Sequence, residues 1–199
     1  MRVFCRNQNS NAQQITAAAT EIASSAARTR KELGPITILV NNAGITGFCR
    51  FEDITEEMMD RMMEINIKGP FLCTQAIIPD MVAAKWGRIV NISSSSAQTG
   101  APMMAHYATS KGGIIAFTKT LAREYADKGI TVNNIPPGFV DTPMLRASPV
   151  NIEEQTASSP MKRAGKPEDI AAACSYLVSE AAGYVTGHTL GVNGGRVMP

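Results

Sequence analysis

Apolar residues recur mostly at three- and four-residue steps near the start of the chain, at Ile15, Ala19, Ile22, Ala26 and Leu33. This period matches one face of an α-helix and predicts a helix over residues 10–33. The dipeptide Gly34-Pro35 then supplies a stop signal, because neither residue continues a helix well. The chain is therefore predicted to be helical from residue 10 to Leu33.

A continuous apolar run rich in β-branched residues follows over residues 36–40, and it predicts a strand buried on both faces. The alternation of helices and strands then continues to the C-terminus. Helices are predicted from Glu56, with Thr55 as the cap, over 70–85, over 105–127 and from Pro167, and strands over 88–92, 130–135 and 188–192. This order predicts an α/β fold, a doubly wound parallel sheet in three layers, with residues 1–199 in a single domain.

The composition narrows the class of protein. A hydrophobic fraction of 44% and a charged fraction of 18% are typical of a soluble globular chain. The net charge of +2, without a basic run, argues against a nucleic-acid partner. No stretch approaches the ~18 apolar residues of a membrane span, and no signal peptide is recognisable. Four widely spaced cysteines favour isolated thiols, and no metal-ligand spacing occurs, so we expect a cytoplasmic protein without a metal site.

Tyr107 and Lys111 are four residues apart on a predicted helix, so both side chains project from the same face. A free tyrosine titrates near ~10, too high for proton exchange at neutral pH. An ammonium ~4 Å away, at an effective dielectric constant of ~20, contributes about 4 kcal/mol, or roughly three pK units. The pair therefore predicts a phenol with a pKa close to ~7, suited to general acid–base catalysis. A solvated surface pair is the alternative interpretation.

Two groups of small polar residues follow predicted strands, at the edge where open α/β sheets bind ligands. The first is Ser93-Ser94-Ser95-Ser96, in which one hydroxyl can hydrogen-bond a carbonyl oxygen as the tyrosine donates its proton. The second is Asn41-Asn42-Ala43-Gly44, whose small residues permit a close approach of ligand to backbone. A flexible loop and a simple turn are the respective alternatives.

Together with further segments, these residues resemble the short-chain dehydrogenase/reductase family from about Gly34 to the C-terminus. Five ordered motifs carry the resemblance: Asn42-Ala43-Gly44; Asn66 in Met63-Glu64-Ile65-Asn66; Ser94, which precedes Tyr107 by 13 residues, with Lys111; Pro137-Gly138-Phe139-Val140-Asp141-Thr142; and the C-terminal segments Arg163–Asp169 and Tyr184–Gly195. The resemblance implies a Rossmann-like fold and NAD(P)-dependent hydride transfer to or from a carbonyl or secondary alcohol. Within the family the chain is most similar to 3-oxoacyl-acyl-carrier-protein reductases.

The resemblance also assigns roles. It implies that Tyr107 exchanges the proton on the substrate oxygen and that Lys111 lowers the pKa of Tyr107 and holds the nicotinamide ribose. Ser94 is implied to position and polarise the carbonyl, and Asn66 to support a water-linked proton path through Lys111. The residues implied to border the cofactor are Asn42, Ala43, Gly44, Tyr107, Lys111, Pro137, Gly138, Val140 and Thr142. The implied cofactor is NADP or NAD, with NADP favoured, and the implied partners are a small carbonyl, alcohol or acyl thioester substrate and further copies in a homotetramer.

The chain departs from the family pattern at its beginning. The family opens with a strand, a TGxxxGxG turn and a helix that receives the pyrophosphate, whereas the first glycine here is Gly34. We therefore expect an N-terminally incomplete fold without the first strand and glycine-rich turn. Residues 2–6 are a candidate relic of the family's second strand, in which case Arg6 favours NADP; a rebuilt terminus is the alternative. A catalytically silent oligomerisation subunit that binds no cofactor stands as the second functional hypothesis.

Overall fold

Four parallel strands form a sheet in the part of the chain that the structure, a computed structural model, describes: residues 2–3 and 12–198, with side chains from residue 19 onward. The strands lie side by side in chain order: β1 (Arg2–Val3), β2 (Ile38–Asn41), β3 (Gly87–Ile92) and β4 (Ile130–Ile135). Parallel neighbours need crossover connections, which the helices supply. The predicted doubly wound α/β fold is confirmed.

In the described part of the chain, the five predicted helices are present in the predicted order, together with three short helices that were not predicted. They are α1 (Ala12–Leu33), α2 (Glu56–Met63), α3 (Gly69–Ala84), α4 (Ser96–Thr99), α5 (Ala105–Tyr125), α6 (Pro143–Arg146), α7 (Ile152–Ser158) and α8 (Pro167–Leu177). The predicted cap is present, because the Thr55 hydroxyl accepts a hydrogen bond from the Met58 amide at 3.3 Å. A five-residue π-helical turn, Glu64–Lys68, joins α2 to α3.

The alternation of side chains along each strand divides the core between the two faces of the sheet. Leu39 and Ile89 lie on one face and pack against α1, α3 and α5. Val40 and Val90 lie on the opposite face and pack against Leu177 of α8. These five side chains are nearly or fully buried, so helices cover both faces in the predicted three-layer arrangement.

Buried asparagines join the strands across the first of these faces. Asn41 and Asn91 are in register on β2 and β3, and the Asn41 amide donates to Asn91 Oδ1 at 2.8 Å. The Asn91 amide in turn donates to the hydroxyl of Thr118 on α5 at 2.9 Å. Because these groups are buried, each hydrogen bond also removes an unsatisfied polar atom. The ladder fixes the register of the strand ends that lead into the candidate site.

β1 lies within residues 2–6, the candidate relic of a family strand, and pairs with β2. Two expectations are corrected. The predicted strand over 188–192 forms isolated bridges to β4 and the residues after it, such as Asn134 with Thr189, in place of a regular strand. Cys73 is disulfide-bonded, so isolated thiols do not describe all four cysteines. Arg6 lies outside the described residues, and no helix among those described is both long and apolar enough to cross a membrane.

Candidate active site

Helix α5 carries the two residues of the predicted acid–base pair, one helical turn apart. Tyr107 is half-buried and Lys111 is only 5% exposed. The Lys111 ammonium donates to the backbone carbonyl of Ile92 at 3.0 Å. Ile92 is the last residue of β3, so this hydrogen bond holds the cation at the carboxyl edge of the sheet. That edge is where ligands bind in open α/β folds.

The four serines after β3, which we call the serine loop, differ in exposure. Ser93, Ser95 and Ser96 are buried, whereas Ser94 is half-buried. The Ser94 hydroxyl contacts the Ser96 hydroxyl at 2.8 Å, accepts from the Ser96 amide at 3.2 Å, and hydrogen-bonds Tyr107. Of the four hydroxyls, the one chosen from its spacing to Tyr107 is therefore the one beside that phenol.

The predicted acidification of Tyr107 is wrong in direction. Burial raises the pKa of Tyr107, because a phenolate loses hydration in the interior, and the hydrogen bond with Ser94 opposes this only in part. Burial likewise lowers the pKa of Lys111 to about 8. The predicted shift rested on the attraction between the two groups and did not include the free-energy cost of burying each of them. The Tyr107 phenol is consequently held in its protonated form at neutral pH.

Asn66 lies inside the π-helical turn and is fully buried. Its carbonyl oxygen accepts from the Ile45 amide at 2.9 Å, and its amide donates to the Ile45 carbonyl and to Ser110 Oγ, both at 3.0 Å. Ser110 donates to the Tyr107 carbonyl at 2.7 Å. Single π-helical turns are frequent at functional sites because they redirect one side chain. Here the turn points Asn66 at both the loop after β2 and helix α5.

The loop after β2 lies directly against these groups. A Cβ at Gly44 would lie 3.0 Å from Asn66 Oδ1 and 3.1 Å from Lys111 Nζ, so only glycine fits without displacing them. Farther along, a Cβ at Gly47 would lie 2.6 Å from Nε2 of the buried His106. Within the predicted motif, Ala43 is half-buried and the Asn42 side chain is exposed. The structure thus brings Gly44 to the cluster and leaves the Asn42 side chain facing solvent.

Residues 137–142, the PG loop, continue from β4 and border the serine loop. The Pro137 carbonyl accepts from the Ser95 amide at 2.9 Å, and Val140 forms a parallel bridge with Gly165. The hydroxyl of Thr142 caps α6 by accepting from the Leu145 amide at 3.3 Å. The PG loop therefore adjoins Ser94 through backbone contacts, while the Thr142 hydroxyl is already engaged by its own helix.

Ser110, which connects Asn66 to the backbone of α5, was not predicted from the sequence. Its position three residues after Tyr107, on a neighbouring part of the same helix surface, was the available signal. The backbone carbonyl of Ile92 was not predicted either, because no sequence pattern identifies it. Among the described side chains, no group of three His, Cys, Asp or Glu residues is arranged to hold a metal ion.

Comparisons with known proteins agree on the class. The family described as Enoyl-(Acyl carrier protein) reductase matches residues 15–196. Nodulation protein G of Azospirillum brasilense is 46% identical over 170 residues, which span 85% of this chain and 69% of that protein. The 3-oxoacyl-[acyl-carrier-protein] reductase FabG of Thermotoga maritima is 41% identical over 169 residues, which span 84% of this chain and 69% of that protein. Acetoacetyl-CoA reductase of Cupriavidus necator is 40% identical over 172 residues, which span 86% of this chain and 70% of that protein.

A solved structure gives the same result in three dimensions. ElxO with NADP bound superimposes with a TM-score of 0.84 at 30% sequence identity, covering 89% of this chain and 73% of that one. Since the matching family spans nearly all of the sequence and several relatives exceed 40% identity, the chain belongs to the short-chain dehydrogenase/reductase family of oxidoreductases and is most like the 3-oxoacyl-acyl-carrier-protein reductases.

Proposed function

We propose that this chain catalyses NAD(P)-dependent reduction of a carbonyl group to a secondary alcohol, with Tyr107 as the proton donor. One observation carries the proposal. Tyr107 is hydrogen-bonded to Ser94, the half-buried hydroxyl of the serine loop, and shares helix α5 with the buried Lys111 ammonium. A proton donor, a second hydroxyl and a cation at one sheet edge are the groups that carbonyl reduction requires.

The protonation state of the phenol fits the reductive direction. Because burial raises its pKa, Tyr107 carries a proton at neutral pH and can donate it to the substrate's oxygen. The Ser94 hydroxyl donates a second hydrogen bond to the same oxygen and so orients the carbonyl. Lys111 stabilises the negative charge that the oxygen or the phenolate gains. Asn66 supports the proton path through Lys111, since its side chain is held between Ile45 and Ser110.

The residues present fit one end of a nicotinamide cofactor. Bound nicotinamide supplies or accepts the hydride, and Lys111 and Tyr107 would hold its ribose. Gly44 lets the Asn66 and Lys111 side chains lie close to the loop after β2. Pro137, Gly138 and Val140 would border the ring. Residues 1–33 contain no glycine, so a glycine-rich turn for the pyrophosphate is not among these residues. NADP is favoured over NAD, as in the NADP-bound structural neighbour.

The names of the relatives point to the substrate. Two of those described above reduce 3-oxoacyl or acetoacetyl groups attached to acyl-carrier protein or coenzyme A, according to their names. We therefore assign a 3-oxoacyl thioester as the substrate, acting in fatty-acid synthesis. A cytoplasmic homotetramer, without nucleic-acid or membrane partners, is part of the same proposal and rests on family resemblance and composition.

A catalytically silent oligomerisation subunit is the second candidate. Residues 1–33 contain no glycine, so no TGxxxGxG turn lies within that stretch. Such a subunit would keep the fold and its association surfaces without holding cofactor. The two candidates differ in a single measurable property, the affinity for a reduced nicotinamide cofactor.

Titration of the chain with NADPH and NADH, followed by cofactor fluorescence, separates these candidates. Saturable binding supports the enzyme, and its absence supports the silent subunit. Tyr107→Phe should then lower the rate of acetoacetyl thioester reduction by at least about 100-fold, the usual contribution of a general acid. Tyr125→Phe is the matched control, because Tyr125 ends the same helix and its ring faces the Lys128 ammonium, 4.5 Å away. Equal rates for the Tyr107 variant and the control would refute the assigned proton donor.

A further inference from the structure

Residues 192–197, the C-terminal turn, are folded around one asparagine side chain. Oδ1 of Asn193 accepts from the Gly195 amide at 3.0 Å and from the Val197 amide at 3.5 Å. Its Nδ2 donates to the Val197 carbonyl at 3.2 Å, and the Arg196 amide donates to the Asn193 carbonyl, also at 3.2 Å. Asn193 thus satisfies both ends of the turn and fixes its shape.

The PG loop packs against this turn at Gly138. A Cβ at Gly138 would lie 2.8 Å from the Asn193 carbonyl oxygen and 2.9 Å from its Cα, distances that real side chains do not reach. Gly138 is not among the glycines with positive φ, so its backbone conformation does not require glycine. Its amide also donates to the Val192 carbonyl at 3.2 Å. The close approach of the C-terminal turn therefore requires glycine at position 138.

The contact extends to the catalytic serine. Pro137, next to Gly138, accepts from the Ser95 amide at 2.9 Å, and Ser95 follows Ser94 in the chain. On the other side of Gly138, the Phe139 ring is covered by the Arg196 guanidinium at 4.3 Å. A continuous series of backbone contacts thus leads from the C-terminal turn through the PG loop to the serine loop.

We infer that Asn193 is a positioning residue for the reaction: it holds the C-terminal turn as the surface on which the PG loop rests, and through Pro137 it sets the position of Ser94. This inference rests on the proposed function where it concerns catalysis. Its structural part concerns only backbone order and can be tested on the chain alone. Asn193 is proposed to act through Pro137 and not by contact with the substrate or the reacting groups.

Hydrogen–deuterium exchange tests the structural part. In Asn193→Ala, the amides of Gly138 and Ser95 should exchange about tenfold faster or more, because the turn loses three side-chain hydrogen bonds. The Ile89 amide, in the core strand β3, serves as the reference for global unfolding and should change less. Unaltered exchange at Gly138 and Ser95 would refute the inference, whatever the catalytic result.

Kinetics tests the functional part. Asn193→Ala should raise KM for NADPH and lower kcat, with a combined loss approaching about 100-fold in kcat/KM, the effect of misplacing reacting groups by about 1 Å. Asn193→Asp keeps the oxygen that accepts from both amides and should recover most of the loss. Thr55→Ala, which removes a cap distant from the PG loop, is the control and should keep wild-type kcat/KM. If the Asp variant is as impaired as the Ala variant, the hydrogen bonds accepted by Asn193 Oδ1 are not the cause of the loss in kcat/KM. If the wild-type chain is inactive, that result counts against the proposed function, and hydrogen–deuterium exchange alone then tests the inference about Asn193.

Discussion

On the side of the site formed by the π-helical turn and α5, hydrogen bonds between side chains and to backbone groups hold the side chains in place. Asn66 bonds to Ser110 and to both polar groups of the Ile45 backbone, and Lys111 bonds to a strand carbonyl. On the PG-loop side, backbone rests on backbone: Gly138 against Asn193, and Pro137 against Ser95. The geometry of the first side depends on buried polar groups that keep their hydrogen-bond partners. The geometry of the PG-loop side depends on the lack of a side chain at Gly138. Substitutions should therefore damage the two sides by different mechanisms.

The largest loss of stability is expected at Asn66. Asn66→Ala leaves the Ile45 amide and carbonyl without their partner and opens a small cavity at a fully buried position. At about 1–3 kcal/mol for each unsatisfied group, we expect the free energy of unfolding to fall by about 4 kcal/mol. Urea denaturation measures this. Asn66→Asp retains the oxygen that accepts from the Ile45 amide but sets a second acceptor against the Ile45 carbonyl at a fully buried position, so it should lose at least as much. A much smaller loss than in the alanine variant would show that the hydrogen bond donated to the Ile45 carbonyl contributes little.

The next effect concerns the pH dependence that Lys111 imposes. Burial lowers its pKa to about 8 from 10.5, so between those values the unfolded chain binds more protons than the folded chain. Stability must then rise with pH across that window, and below pH 8 the full penalty of burying the cation applies. Because each unit of pKa difference corresponds to about 1.4 kcal/mol, the free energy of unfolding should rise by about 3 kcal/mol across this window.

Comparison with Lys111→Met isolates this contribution, because the variant has the same tyrosines and the same surface charges elsewhere. The difference in free energy of unfolding between wild type and variant, from urea titrations between pH 7.5 and 10, should shift steadily in favour of the wild type. A difference that is independent of pH would mean that the ammonium is better solvated than its 5% exposure indicates.

The two sides also differ in how far sequence could predict them. The spacing of Tyr107 and Lys111 predicted a shared helix face, since a four-residue step depends only on local geometry. The pKa of Tyr107 was predicted in the wrong direction, because burial depends on residues distant in sequence. The contact of Gly138 with Asn193 joins residues 55 positions apart, and it involves backbone atoms that leave no trace beyond the glycine itself. Periodic apolar patterns predicted the regular elements well for the same local reason.

The smallest expected loss in the free energy of unfolding is that of Gly138→Ala, and Gly112→Ala, for which a gain is expected, serves as its comparison. The added methyl group at Gly138 meets the Asn193 backbone at under 3 Å, and backbone cannot swing aside as a flexible side chain does. Forced overpacking of this kind costs about 1–3 kcal/mol, so we expect a loss near 2 kcal/mol. At Gly112, inside α5, a Cβ meets nothing within 4 Å, and alanine should add about 0.8 kcal/mol through its higher helix propensity. Thermal and urea unfolding of both variants should therefore move in opposite directions. A loss at both positions would mean that generic sensitivity to added volume, and not the close approach of the C-terminal turn, explains the glycine of the PG loop.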